Sequence, residues 1–502
     1  MRSETIVLIL LFISVQLTQG LNWYVNGTYE GQIQNGTLER PCKSISKCVH
    51  DFATNGDTIY ILPGIYNGTD NTGICSAFVT RRRNCTASRL TLTGLHHNAD
   101  EVIWSFTKSS PINVRALVGD DNRFIRLANM TIRDFTVVSN VTVTSVASTR
   151  VEGGALDVHN STMEIFNVQF INNSAATGGS ISLSKSNVTI MSSYFKNNQA
   201  LIAGGAVASR QSSLRLNDTT FDSNSVLGNA ATQSFGEGGA VYFFGKASDT
   251  LHIEGGQFNN NTAPEAGGAL HIQSEDHTVI TGTTFTRNQA SGDGMCLFSS
   301  SACQVRGGAV FSTVPGILVT GATFISNTAM TSLPSQIAQG GAIYTAAAYE
   351  KTPSVKWSYY NNCTFTANSA NFNGGAVYTL NQYTQITGGT FTNNYAGISN
   401  ALFGDASASG GAIWFSFVGK ATEKSSHVIG STFTGNYVWG GAGGAVYVTS
   451  TPSGLDFYIC TFNENIAVSS YTFPARGGAL MVSHNSMSQV SHSTLTNNSA
   501  AP

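Results

Sequence analysis

The sequence predicts an all-β chain wound as a parallel β-helix, a solenoid of stacked coils, and three observations carry that prediction. A Gly-Gly-Ala-aliphatic tetrad recurs eleven times, beginning at Gly153, Gly178, Gly204, Gly238, Gly267, Gly307, Gly340, Gly374, Gly410, Gly443 and Gly477, with Ser180 in place of Ala once. Each tetrad is followed 17 to 25 residues later by Phe-x-x-Asn, from Phe170/Asn173 to Phe462/Asn465, and Leu495/Asn498 closes the series. Self-similarity at such a period marks units that bury their apolar faces only by stacking on one another. Composition agrees: 11% charged residues, 52 Gly and only 10 Pro among 502 residues fit closely stacked β-coils better than a disordered tract or a helical bundle.

Residues 1–20 read as a secretory signal peptide, with Arg2 as the charged start, Ile6 to Val15 as a short apolar run, and cleavage expected after Gly20. The apolar run is well short of the roughly 20 residues that span a bilayer, and no later stretch is long enough. The expectation is an extracellular protein, secreted or at the cell surface. Thirteen Asn-x-Ser/Thr sequons, among them Asn26, Asn67 and Asn362, make it a candidate glycoprotein in a eukaryotic source.

Cysteine spacing fits an oxidising compartment. Cys42/Cys48, Cys75/Cys85 and Cys296/Cys303 are close pairs in loop-like contexts and are candidate disulfides. Cys363 and Cys460 each lie two residues before a repeat Phe, an inward-facing place three coils apart, so both are expected as buried free thiols. No His or Cys falls at zinc-like spacing, and no cofactor or metal is expected.

Residues 21–150 read as an N-terminal cap and irregular first coils. A short helix is expected between Pro41 and Phe52, then a strand ending at the Pro63-Gly64 turn, with further strands over Ser88 to Gly94 and Arg123 to Phe135. A cap is physically required, because the first coil would otherwise expose an unpaired strand edge and apolar core. The entry segment resembles that of pectin-lyase-like β-helices, in which a helix covers the first coil.

Residues 151–498 form the repeat array. Segments after each tetrad, such as Ala376-Val-Tyr-Thr-Leu, and before each Phe, such as Ser213-Leu-Arg-Leu, are short, β-branched or aromatic, and bounded by Gly, Asn and Ser. With coils about 4.8 Å apart, Phe should stack on Phe inside, and Asn on Asn at a turn where each amide donates to one coil and accepts from the next. The paired glycines permit a tight corner and close backbone approach.

These alternating tetrads resemble the paired motifs of the polymorphic outer membrane protein (Pmp-type) repeat over about residues 150 to 498. The resemblance implies a right-handed β-helix exposed at a surface, commonly an adhesin. Bacterial members continue into a C-terminal β-barrel, and no such segment follows Asn498 here.

The residue after each tetrad should point outward. From the fourth coil to the tenth these residues are Tyr242, His271, Phe311, Tyr344, Tyr378, Trp414 and Tyr447, an aromatic stripe about 29 Å long at the coil spacing. Two readings follow: a strip that binds glycan or protein, or a second small core roofed by the insertions Ser225 to Glu237, Gln289 to Arg306 and Ala346 to Ser358.

The function expected from sequence is adhesion or display without catalytic activity, with an extracellular glycan or surface protein as partner. The alternatives are a polysaccharide-acting lyase or hydrolase of the pectin-lyase-like class, and a structural coat or matrix protein. Gly119-Asp-Asp121 alone resembles a paired-aspartate motif, and the companion motifs of polygalacturonases are missing, so Asp120 and Asp121 read as a solvated loop. A net charge of -2 without basic runs argues against nucleic acid.

Overall fold

A computed structural model describes residues 20–75, 87–106, 115–120, 123–137, 152–228, 236–274, 278–292, 304–313, 316–331, 337–347, 357–380, 382–397, 408–417, 425–449, 454–470, 473–483 and 486–501. The signal-peptide expectation therefore lies almost wholly outside the described residues. So do Cys85, Cys296, Cys303 and Asp121, and much of the three insertions.

The coil from Gly178 to Ala203 shows how the repeat folds. Gly178 adopts φ +62°, a conformation that favours glycine, and turns the chain into the strand Ile181–Ser184. A Cβ on the second glycine, Gly179, would overlap the carbonyl oxygen of Gly205 in the next coil, so the tetrad needs both glycines for different reasons. Lys185, Ser192 and Asn197, all at positive φ, then bend the chain through Asn187–Met191 and Tyr194–Lys196 into Gln199–Ala203.

Each of these strands pairs in parallel with its counterparts in the coils before and after. Repeated along the chain, they build three long parallel sheets of 27, 12 and 11 strands. The expected parallel β-helix is the fold.

Strand alternation directs Ile181, Leu183, Val188, Ile190 and Phe195 into the coil interior, where they are essentially inaccessible. Phe170 to Phe462 form a continuous stack, with centroid spacings between 4.7 Å (Phe170 to Phe195) and 4.9 Å (Phe324 to Phe365). Beside it runs the asparagine ladder. The Asn224 side-chain amide donates to Asn261 Oδ1 at 3.0 Å and to the Phe195 carbonyl at 3.0 Å, and the same pattern recurs from Asn173 to Asn465. Buried amides with no water to satisfy them are thus fully used, which locks coil register.

At the N-terminal end Asn22–Val25 pairs with Asp57–Ile61, followed by Arg89–Gly94 and Phe124–Arg133. The helix Ile45–Asp51 is capped by the Ser44 hydroxyl, which accepts from Lys47 N at 3.3 Å. Ile45, Cys48 and Val49 pack into the same core as Val25, Ile59 and Ile61. Cys42 and Cys48, read from sequence as a disulfide candidate, are buried free thiols. The Cys48 thiol lies 3.7 Å from the Tyr24 carbonyl, and the neighbouring Cys42 thiol, with burial, pushes its pKa upward. Cys75 is disulfide-bonded, and Cys363 and Cys460 are buried free thiols inside the coils.

Candidate functional site

The outward column after the tetrads is continuous in register: Val118, Asp157, Ser182, Ala208, Tyr242, His271, Phe311, Tyr344, Tyr378, Trp414, Tyr447 and Met481 oppose one another in successive coils. His271 lies tilted against Tyr242 and Phe311, and the rings from Phe311 to Trp414 stack, tightest between Tyr378 and Trp414 at 4.2 Å and 1° between planes. Phe311, Tyr344 and Tyr378 are buried in a second hydrophobic cluster with Ala266, against which Ala346, Leu380 and Trp414 pack. The Arg306 guanidinium sits 5.7 Å from the Phe311 ring centre and 5.6 Å from that of Tyr344. Tyr242, Trp414 and Tyr447 are only half-buried.

Toward the N-terminal end the same face becomes charged. Asp157 and His159 alternate outward from the strand Leu156–His159, with Asp157 Oδ1 2.9 Å from His159 Nε2 and Asp157 Oδ2 3.7 Å from Arg115 Nε. Arg115 Nε also donates to the Glu152 and Gly153 carbonyls at 2.7 and 3.0 Å, which fixes it. Glu152, just before the first tetrad, accepts from Ser182 Oγ at 3.4 Å and meets Arg210 Nη1 at 3.1 Å. Its carboxylate therefore lies across the two rungs, Ser182 and Ala208, where the column is small.

Glu237 and Arg306 occupy the equivalent place before their own tetrads, joined through Ala266 by parallel bridges. Glu237 keeps 36% of its side chain exposed, and its Oε2 lies 3.9 Å from His271 Nε2. Desolvation against the packed wall, then the neighbouring Glu265 carboxylate, raise the Glu237 pKa to about 7, while Arg306 and Arg210 oppose that shift. Burial raises Glu265 as well, and it lifts the Tyr242 phenol to about 12 with Glu237 adding to the effect. His271, 2% exposed, is driven down to about 3 by burial and then by Arg306, so its ring is neutral.

Arg210 consequently stands between two carboxylates, paired with Glu152 and acting on Glu237. Glu152, Asp157 and His159 also bring ligand-type atoms within 4.8 Å of one another. The two Arg side chains offset the carboxylate charge there, so the set fits an ion-pair network better than a cation site. Asp120 offers its backbone carbonyl to Arg123 Nε at 2.8 Å.

No known protein family matches the chain by sequence, and no curated protein matches it. Among solved structures, the chain is similar to the catalytic domain of a GH87 alpha-1,3-glucanase in complex with nigerose, at 12% identity and a TM-score of 0.40. That match covers 91% of this chain and 67% of the other. It is also similar to the A-module of the Azotobacter vinelandii mannuronan C-5 epimerase AlgE6, at 12% identity and a TM-score of 0.28, covering 90% and 93% of the two chains. Tailspike protein 3 of bacteriophage CBA120 matches at 9% identity and a TM-score of 0.21, covering 96% and 62%.

At these values the likeness concerns the fold alone, and nothing in it singles out the Pmp-type repeat. The sequence expectation of an adhesion or display protein without catalytic activity is nevertheless corrected. The outer face of the tetrad sheet gathers carboxylates, Arg and His into a cluster of the kind that acid–base chemistry uses.

Proposed function

We propose that the chain is an extracellular polysaccharide-acting enzyme that cleaves glycosidic bonds on the outer face of the tetrad sheet. The observation that carries this reading is the juxtaposition of Glu152, Arg210 and Glu237 with the half-buried end of the ring column at Tyr242. Carboxylates in unlike environments suit acid–base work: Glu237 is poised to hold a proton near neutral pH, whereas Glu152 is paired with a cation.

In the proposed step the glycosidic C–O bond breaks as Glu237 gives its proton to the leaving oxygen. Water adds to the anomeric carbon and passes a proton to Glu152, and solvent exchange resets both groups. Arg210 pairs with Glu152 and favours the ionised form of Glu237, so one cation couples the two carboxyl groups. The exposed parts of Tyr242, and of Trp414 and Tyr447 on adjacent rungs farther along, offer sugar rings apolar contact on this face. Extracellular location rests on the leader reading of residues 1–20. A surface-exposed Pmp-type repeat, supported by the tetrads alone, is compatible with the same activity.

The test is incubation of the full chain with a panel of neutral glucans and uronate polymers, scored by release of reducing ends. Cleavage of at least one polymer by the native protein and its loss in Glu237→Gln are expected. Failure of the native protein on every polymer would contradict the reading.

A further inference from the structure

The most anomalous group on this face is His271. Its ring lies between Tyr242, 5.1 Å away, and Phe311, 4.6 Å away, and neither ring nitrogen has a hydrogen-bond partner among the described residues. Leaving a buried donor and acceptor unmade is costly, and the neighbouring column positions carry apolar or phenolic rings that avoid that cost. An imidazole retained there calls for a ligand group. Its Nε2 is closed to solvent and faces the partly exposed Glu237 carboxyl across 3.9 Å. That is too long for a direct hydrogen bond, while one oxygen set beside the pair is within hydrogen-bond reach of both groups.

We infer that His271 and Glu237 together form a hydroxyl-binding subsite, in which one hydroxyl of a sugar ring bridges His271 Nε2 and the Glu237 carboxyl. The inference rests on the polysaccharide reading and assigns His271 the part of a specificity residue. Because the ring is neutral, it accepts from the hydroxyl or donates to it without competing for Glu237's charge. The Glu237 side chain is partly exposed, so in the proposed binding event it rotates to admit the sugar, a motion that is fast on the scale of turnover. Hydroxyl recognition by a buried polar group discriminates strongly, because a deoxy sugar leaves the imidazole unpaired again.

The experiment compares native protein, His271→Phe and Glu237→Gln in binding and cleavage of the polymer panel. Calorimetric titration gives affinity, reducing-end release gives turnover, and thermal melting gives stability. Phe at 271 matches Phe311 in the next rung, so the variant is expected to fold, with a melting temperature equal to or above native. Expected results are roughly tenfold weaker binding in His271→Phe and retained binding without cleavage in Glu237→Gln.

Native affinity in a folded His271→Phe overturns the subsite while leaving the enzyme reading intact. A His271-dependent affinity without cleavage by native protein keeps the subsite and removes the cleavage reading. Absence of any binding by native protein overturns both. Should His271→Phe unfold, His271→Gln supplies the same comparison: it keeps a polar group and is expected to retain part of the affinity, and full native affinity in it overturns the subsite.

Discussion

The carboxylate of Glu152 meets the guanidinium of Arg210 at 3.1 Å, although 58 residues separate them in the chain. The contact exists because coils of 25 and 26 residues stack in exact register, bringing the first coil's pre-tetrad place beside the third coil's outward strand. Arg210 also acts on Glu237 in the fourth coil, so one cation couples carboxylates from opposite ends of the small-residue rungs.

Replacing Arg210 by Ala should therefore change chemistry more than stability. Both partners are partly exposed, so the lost pair is worth about 1 kcal/mol or less. Arg210 stabilises ionised Glu237, and its removal should move the Glu237 pKa further above 7. A shift of the alkaline limb of the pH–rate profile to higher pH, with little change in melting temperature, is the expected result.

The asparagine ladder predicts a large stability effect from a small change. Asn261 Oδ1 accepts from both the backbone N–H and the side-chain amide of Asn224, while its own amide donates to Phe221 O and Asn288 Oδ1. Asn261→Ala strands several buried groups at once, each costing roughly 1–3 kcal/mol. Denaturant unfolding should show a loss of at least about 3 kcal/mol; a loss below about 1 kcal/mol would mean that the ladder is not what holds register.

Acid stability should report on His271. Its folded pKa of about 3 lies below the ordinary value of 6.5, so the unfolded chain binds the proton first as pH falls. The stability it contributes is present above pH 6.5 and is lost as pH drops toward 3, on the order of a few kcal/mol. His271→Phe should remove that part of the acid-side loss in melting curves taken across this range. Glu237 acts in the opposite sense, because a raised carboxyl favours the fold at low pH and gives up that contribution as pH rises from the usual carboxylate range through about 7.

Much of the architecture is written in the repeat. The inward place two residues before each Phe predicted buried Cys363 and Cys460, and the tetrad spacing predicted coils whose Phe and Asn positions stack rung upon rung. The site was only half legible. Outward residues were read from Tyr242 onward because aromatic side chains announce themselves, whereas Asp157, Ser182 and Ala208 hold the same place in the first three coils. Glu152, Glu237 and Arg306 likewise share the place before a tetrad, a periodic signal hidden by variable side chains. Proximity of Glu152 to Arg210, and the unpaired ring of His271, depend on side-chain reach and burial, which spacing does not encode.

The most direct test of the central claim is the pH dependence of reducing-end release from a cleaved polysaccharide, measured for native protein and Glu237→Gln. An enzyme that uses protonated Glu237 loses turnover as pH rises through about 7, and the Gln variant, which has no proton to give, should be at least roughly a hundredfold slower with that limb abolished. Equal turnover and an identical pH profile in the two proteins would contradict the account.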